Sequence, residues 1–390
     1  MGIYLNNAAT SWPKAEGVAD AMRDFLLSRG ANLARGAAAE RDITTLDMVS
    51  SCRSAVAELF EGYVERDPRY ATFCTNVTEA LNIIIKGFCV SGTRVVTTSM
   101  EHNSVIRPLR SLEQSRGIHV RVLPCNAMGF LEMPVLEKAL QEGANLVVMS
   151  HASNVCGSIQ DLDSVAELCR RYHVPLVLDS AQTAGEIPLS VEKLGLSALC
   201  FTGHKGIMGP QGMGGILWEP EFAEKVEPFI EGGTGSFSED EHHPRKLPDK
   251  FEGGTPNLPG IAGMLAALEW VKAKGVDHIR QVRHQRGEEL LEGLLSLPGC
   301  TVYGSQTMEN RLPVFALNLE GWDNGMLAYE LTERYDIETR PSLHCGPLPH
   351  KTLGTFPQGA LRISPGYFTT PQEIRICLEA LRELAKEKRS

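Results

Sequence analysis

The chain has 390 residues, 43% hydrophobic and 22% charged, with 48 acidic against 38 basic side chains and a formal net charge of −10. That length suits two domains with a large core, and the acidic balance argues against nucleic acid or an anionic membrane as the main partner. No apolar run reaches membrane-spanning length, the first residues lack a leader pattern, and the ten cysteines form no C-x-x-C pair, so a cytoplasmic protein with reduced thiols and no metal site is expected.

Taken in order, Ile3-Tyr-Leu is a brief apolar segment. Residues 15–27 have helical spacing, with Val18, Met22, Phe25 and Leu26 on one face. Residues 30–38 are small and loop-like, with Arg35 as their lone charge. A helix is predicted over 46–60, then a strand over 70–74. The Thr75-Asn-Val-Thr turn opens another helix there, and its free N–H groups with the Thr78 hydroxyl make either an N-cap or an anion site. Apolar strand runs follow at 94–98, 145–150, 175–178, 198–201 and 215–218, with helices at 133–141 and 161–172 between them. Strands alternating with helices predict an α/β fold with a mostly parallel, doubly wound sheet. Residues 231–260 read as a long loop rich in glycine, proline and charge. Beyond it come helices at 258–274, 278–296, 323–335 and 371–386 and strands at 300–303, 312–319 and 361–364, the pattern of a smaller α+β unit. The expected division is a large domain at 15–257 and a small C-terminal domain at 258–390 that includes residues 1–14.

Polar residues follow the apolar runs within a few positions: His102, Asn154, Asp179, Gln182, Thr202, His204 and Lys205. In a parallel sheet those strand ends share one edge, where ligands bind. Lys205 is the one permanent charge in the glycine-rich stretch from Leu199 to Leu217, so desolvation should lower its pKa and free a nucleophilic amine. A phosphate P-loop is excluded, because Lys205 precedes most of the glycines and is followed by Gly206. Cys345 stands apart from the other cysteines. Its segment, Arg340-Pro-Ser-Leu-His-Cys-Gly-Pro-Leu-Pro-His-Lys351, holds three prolines, which should exclude a helix and leave the thiol on an exposed loop. Arg340, His344, His350 and Lys351 would favour its thiolate.

A lysine, a strand-end aspartate, a phosphate-sized cap and a residue over the crevice suit pyridoxal phosphate, whose ring is an electron sink when its nitrogen is held by a carboxylate. Eight motifs carry a resemblance over nearly the whole chain: Thr78-Glu-Ala-Leu-Asn, Glu101-His-Asn-Ser, Ser153-Asn-Val-x-Gly, Asp179-Ser-Ala-Gln, Thr202-Gly-His-Lys, Phe251-Glu-Gly-Gly-Thr-Pro, His344-Cys-Gly and Arg362-x-Ser. With these the chain resembles the fold-type-I, class V aminotransferase family, in its cysteine desulfurase and selenocysteine lyase branch. The resemblance implies a fold-type-I PLP-dependent transferase. Lys205 would form the Schiff base, Asp179 would hold the pyridine nitrogen, and His102 would stack on the ring. Gln182 and Asn154 would contact the ring, and Val77, Thr78, Thr202 and His204 would flank or bind the phosphate. Thr255 would reach the phosphate of a partner subunit, implying a homodimer with shared sites. Arg362, with Asn154 and Arg340, would bind the substrate carboxylate. Cys345 would take sulfur from L-cysteine as a persulfide, leaving alanine, and pass it to an acceptor protein. Selenocysteine lyase, C–S lyase and aminotransferase activities remain open on these residues, as does a sulfur-carrier or scaffold role without turnover. Ala34 stands where many relatives have histidine, Val77 replaces the usual Thr or Ala, Thr202 replaces a common serine, and Pro365-Gly-Tyr-Phe-Thr replaces bulkier residues.

Overall fold

A computed structural model describes residues 2–33, 39–236 and 238–387; Ala34 and Arg35 lie outside the described residues. Its strands are β1 (Ile3–Tyr4), β2 (Ala71–Cys74), β3 (Arg94–Thr98), β4 (His119–Leu123), β5 (Leu146–Ser150), β6 (Leu176–Asp179), β7 (Ala198–Thr202), β8 (Gly214–Trp218), β9 (Cys300–Tyr303), β10 (Phe315–Leu319), β11 (Ile337–Glu338) and β12 (Leu361–Ile363).

Seven of them form one sheet in the order β2-β8-β7-β6-β5-β3-β4. β3 through β7 pair in parallel, while β8 runs antiparallel to both of its neighbours. The apolar runs make these strands because both faces are covered. Along β5, Val147 and Met149 enter one core and Leu146 and Val148 the other; β6 and β7 alternate in the same way. β4 has no counterpart among the predicted strands. It is the sheet's edge, and His119 and Arg121 alternate with less exposed positions, so it lacks the continuous apolar run of a central strand.

Glycine sets the closest approaches in this sheet. A Cβ on Gly215 would stand 2.4 Å from the Thr72 carbonyl oxygen, and one on Gly214 would stand 2.8 Å from Asn76 Cα. The two glycines therefore let β8 lie against β2 and against the start of the helix Val77–Phe88.

A second sheet, β12-β10-β9, is antiparallel and lies over a third core built from Leu290, Leu294, Phe315, Leu361 and Leu381. β1 pairs in parallel with β11, and Leu5 is buried in that third core. The helix Leu258–Lys274, expected in the small domain, packs instead in the large sheet's core through Leu258, Ile261, Met264 and Leu268. We propose that the division between the domains falls after it, at Gly275.

Two local expectations fail. The helix Val18–Asp24 widens into a π-type turn, Phe25–Arg29, which rotates Leu26 off the buried face and leaves it 66% exposed. The segment beyond Cys345 does form a short helix, Pro347–Thr352. Its prolines occupy the first turn, where a missing N–H breaks no intrahelical bond.

Candidate active site

The register of the large sheet brings the strand ends level: Ser150 lies opposite Asp179, and Asp179 opposite Cys200. The residues that leave β5, β6 and β7 therefore emerge at one edge. Asp179 is buried, and the Ala181 N–H donates to its Oδ1 at 2.9 Å. Burial pushes its carboxyl up, opposed by that hydrogen bond and by the Lys205 ammonium. Lys205 follows β7. Burial lowers its pKa to about 8; Asp179 opposes the shift, and Arg362 and Arg340 add to it. About a tenth of the amine is thus free at pH 7, far more than for an ordinary lysine, and Schiff-base chemistry needs the free amine.

The loop that carries Lys205 is held from behind. The His204 carbonyl accepts from the Ser11 N–H at 2.9 Å, Lys14 Nζ at 3.0 Å, Thr10 Oγ1 at 3.1 Å and Ser11 Oγ at 3.1 Å. Gly206 has no room for a side chain: a Cβ would meet the Ala184 carbonyl oxygen at 2.4 Å. Neither support was foreseen from the sequence, because each depends on segments almost 200 residues apart or on a backbone approach.

His102 caps the helix Asn103–Arg116 by accepting the Ser104 N–H at Nδ1, so Nε2 carries the proton in the neutral ring. Burial, then Lys205 and Arg340, push its pKa down to about 4, keeping it neutral at physiological pH. Its neighbour Glu101, quoted only as part of a motif, is fully buried. It accepts from Thr98 Oγ1 and from both the N–H and the hydroxyl of Ser150, tying the ends of β3 and β5 together.

Cys345 is exposed and lies at a positive φ of 58° beside His344 at 49°. Arg340 Nη2 stands 3.9 Å from its Sγ. The other basic residues expected to help the thiolate do not lend it a positive charge. His344 and His350 are buried and held neutral, with pKa values pushed down to about 3 and about 4 by burial and by Arg362. Lys351 sits over the Phe356 ring instead. Arg362 is 1% exposed, with Nη1 donating to the Asn154 carbonyl at 2.8 Å and Nη2 to Asn6 Oδ1 at 3.1 Å. Asn154 Nδ2 donates to the His344 carbonyl at 2.7 Å, so this side chain braces the Cys345 loop. Gln182 is tied to the Ala8 carbonyl at 3.1 Å. Neither Arg340 nor Arg362 has a carboxylate partner among the described residues. The crevice thus offers two unneutralised guanidiniums to an anionic substrate.

Val77 is buried and Thr78 exposed in the first turn of Val77–Phe88, where Asn76 supplies the cap to Glu79 N–H. Thr202 Oγ1 is buried, 3.5 Å from the Met213 carbonyl. Thr255 does not join this group. It lines a separate cavity of about 630 Å³, together with Gly233, Arg53 and Glu252. There Arg53 makes a bidentate pair with Glu252 at 2.6 Å, and the Phe73 N–H of edge strand β2 donates to the same carboxylate. A cavity of about 690 Å³, lined by His151, Asp161, Pro188 and Asn310 among others, also lies apart from Lys205.

A sequence profile of the Aminotransferase class-V family matches residues 3–376. The chain belongs to that family. This class-V chain is 30% identical over its full length to a probable cysteine desulfurase of Pyrococcus abyssi, covering 95% of that protein. It is also 30% identical to a cysteine desulfurase of Escherichia coli, with 95% of this chain and 90% of that one aligned. The apo cysteine desulfurase of Thermococcus onnurineus superposes with a TM-score of 0.92 at 28% identity, over 99% of this chain and 95% of that one. The expected fold-type-I architecture is therefore the one observed. The class-V family depends on pyridoxal phosphate, and the residues here fit that group. His204 Nδ1 and Arg362 Nε are buried donors or acceptors with no partner among the described residues. The first N–H groups of Val77–Phe88 have no intrahelical acceptor, Asp179 offers a carboxylate with one hydrogen bond, and Lys205 offers a partly deprotonated amine. Among the described residues no cluster could hold a metal ion, and no helix is long and apolar enough to cross a membrane.

Proposed function

We propose that this enzyme is a PLP-dependent cysteine desulfurase that converts L-cysteine to L-alanine and leaves a persulfide on Cys345. The observation that carries the reading is the exposed Cys345 thiol, 3.9 Å from the Arg340 guanidinium. A scaffold would have no use for a lysine whose pKa is lowered in a crevice.

Lys205, Asp179, Gln182, His102, Thr78, Thr202 and His204 would hold the cofactor. When bound, pyridoxal phosphate supplies an electron sink at the substrate's Cα. Asp179 would accept a hydrogen bond from the ring nitrogen and so favour its protonated form. Lys205 would give its amine to hold the cofactor and would move the substrate's Cα proton. Arg362 and Arg340 orient the substrate carboxylate, each being a cation with no acid of its own. Cys345 Sγ attacks the substrate sulfur. The S–S bond forms as the C–S bond breaks, and a proton ends on the former Cβ as the alanine methyl. Cysteine plus the Cys345 thiol give alanine plus the Cys345 persulfide, so no external oxidant is required. Reduction or an acceptor protein then removes the outer sulfur. Thr255, in its separate cavity, serves the site of a partner subunit in a homodimer.

The test is simultaneous release of alanine and sulfide from L-cysteine with a reductant present. Wild type should give equal amounts of both. C345S should keep the cofactor's visible absorbance and give neither. Turnover that survives in C345S would overturn the persulfide mechanism, and turnover of selenocysteine alone would move the substrate to selenium.

A further inference from the structure

Behind Cys345 lies a chain of polar side chains that the reaction itself does not use. His344 Nε2 is 2.9 Å from the Arg340 carbonyl oxygen, and His344 Nδ1 is 3.2 Å from His350 Nε2. His350 Nδ1 is 2.7 Å from Thr355 Oγ1. All three side chains are buried, at 3%, 0% and 4% exposure.

The positions of the protons follow from the last acceptor. A carbonyl oxygen can only accept, so His344 Nε2 carries hydrogen. In the neutral ring Nδ1 is then a lone pair and must accept from His350 Nε2–H. His350 Nδ1 is then a lone pair in turn and accepts the Thr355 hydroxyl. With both rings neutral every link has one direction. Thr355 Oγ1 also lies 3.3 Å from the His350 carbonyl oxygen, so charging His350 would turn that hydroxyl from donor to acceptor and change the order of the chain. The charged groups around the rings, Arg340 and Arg362, both disfavour a second positive charge there.

The end of this chain bears on the nucleophile. The Arg340 carbonyl accepts from His344 Nε2 and also from the Arg362 N–H at 2.8 Å. Between Arg340 and Cys345 the backbone passes through positive φ at Ser342 (89°) and His344 (49°), and Cys345 itself is at 58°. Residues with a Cβ disfavour that region and hold it only where neighbours over-determine it. Asn154 Nδ2 and the Asn103 N–H hold the carbonyls of His344 and Cys345, and His344 closes the loop from inside.

We propose that His350 and Thr355 are positioning residues for Cys345: through His344 they fix the tautomer that clamps the Arg340 carbonyl, and so keep the Arg340 guanidinium beside the thiol. This rests on the reading of Cys345 as the nucleophile. It adds that the thiol is readied by groups that never touch substrate. It also explains how two histidines that cannot be cations still serve the thiolate. The charges that face Cys345 are Arg340, Arg362 and Lys205, and the relay sets the distance of the first.

The test is alkylation of Cys345 by iodoacetamide in the full chain as purified, followed by mass spectrometry of the Cys345 peptide across pH. H350F removes the donor to His344, and T355V removes the last hydroxyl at nearly constant volume. Both should slow alkylation at neutral pH by about fivefold, as expected for loss of one ordered hydrogen bond, and move its pH midpoint upward. T355S should restore the wild-type profile. T355A serves in place of T355V if the added methyl prevents folding. Wild-type rates and midpoints in both variants would overturn the relay. So would a shift in H350F alone, or a T355S variant that behaves as T355V, since the effect would then be one of packing. The alkylation profile judges the relay, while turnover in C345S judges the nucleophile, so the two failures are distinguishable.

Discussion

Lys205 should make the cofactor-free protein less stable than it would be without that charge. Its pKa falls from 10.5 to about 8 in the folded protein. Between those values the unfolded chain binds more protons than the folded one, so stability rises with pH across that window and the full cost applies below it. At about 1.4 kcal/mol for each pH unit, the ammonium costs about 3 kcal/mol at pH 7 and less than about 1 kcal/mol at pH 10. The opposing attraction of Asp179 is already contained in that value. K205M keeps the length and bulk of the side chain and removes the charge. We expect it to be more stable than wild type by about 3 kcal/mol at pH 7, with the gap closing as pH rises from about 8 towards 10.5. Urea unfolding of both proteins, stripped of cofactor, at several pH values measures the gap directly. A K205M variant less stable than wild type at pH 7, or a gap that ignores pH, would refute the reasoning. The same variant should lose the visible absorbance of bound cofactor.

Two more outcomes follow from packing. G206A should cost several kcal/mol and weaken cofactor binding, because its Cβ would stand 2.4 Å from the Ala184 carbonyl oxygen, where backbone must move; thermal unfolding and cofactor titration read both effects. R53L should destabilise by about 1–3 kcal/mol, since it leaves the half-buried Glu252 carboxylate with the Phe73 N–H but no cation, whereas R53L combined with E252L should recover much of that loss in denaturant unfolding.

Much of the sheet and its edge of polar residues was legible in the sequence, because buried parallel strands are written as unbroken apolar runs. Asp179, Asn154 and Lys205 could be aligned on that basis alone. β4 was not legible, because an edge strand with His119 and Arg121 half in solvent carries no such run. Leu26 was assigned to the wrong face because a π-type turn changes the period that the assignment assumes. The helix Leu258–Lys274 was readable as a helix, but nothing in its spacing says which core it enters. The same limit applies within the site. The desolvation of Lys205 and the exposure of Cys345 could be read from their own neighbourhoods. The four donors on the His204 carbonyl and the two unprotonated nitrogens behind Cys345 come from distant segments or from tautomers that only geometry decides.

The pairing of the chain's two ends has a consequence for synthesis. All seven strands of the large sheet are complete once Trp218 has been made, and the core helix that covers them once Lys274 has been made. Residues 7–11 already hang at the amino end, yet Asn7 and Ala8 are fastened to Ser364, and Asn6 waits for Arg362. A growing chain can therefore bury the floor of the crevice long before the wall that carries Arg362 exists. A ribosome stalled before Arg362 would hold a folded sheet that lacks the hydrogen bonds by which Arg362 joins the Asn154 carbonyl to Asn6.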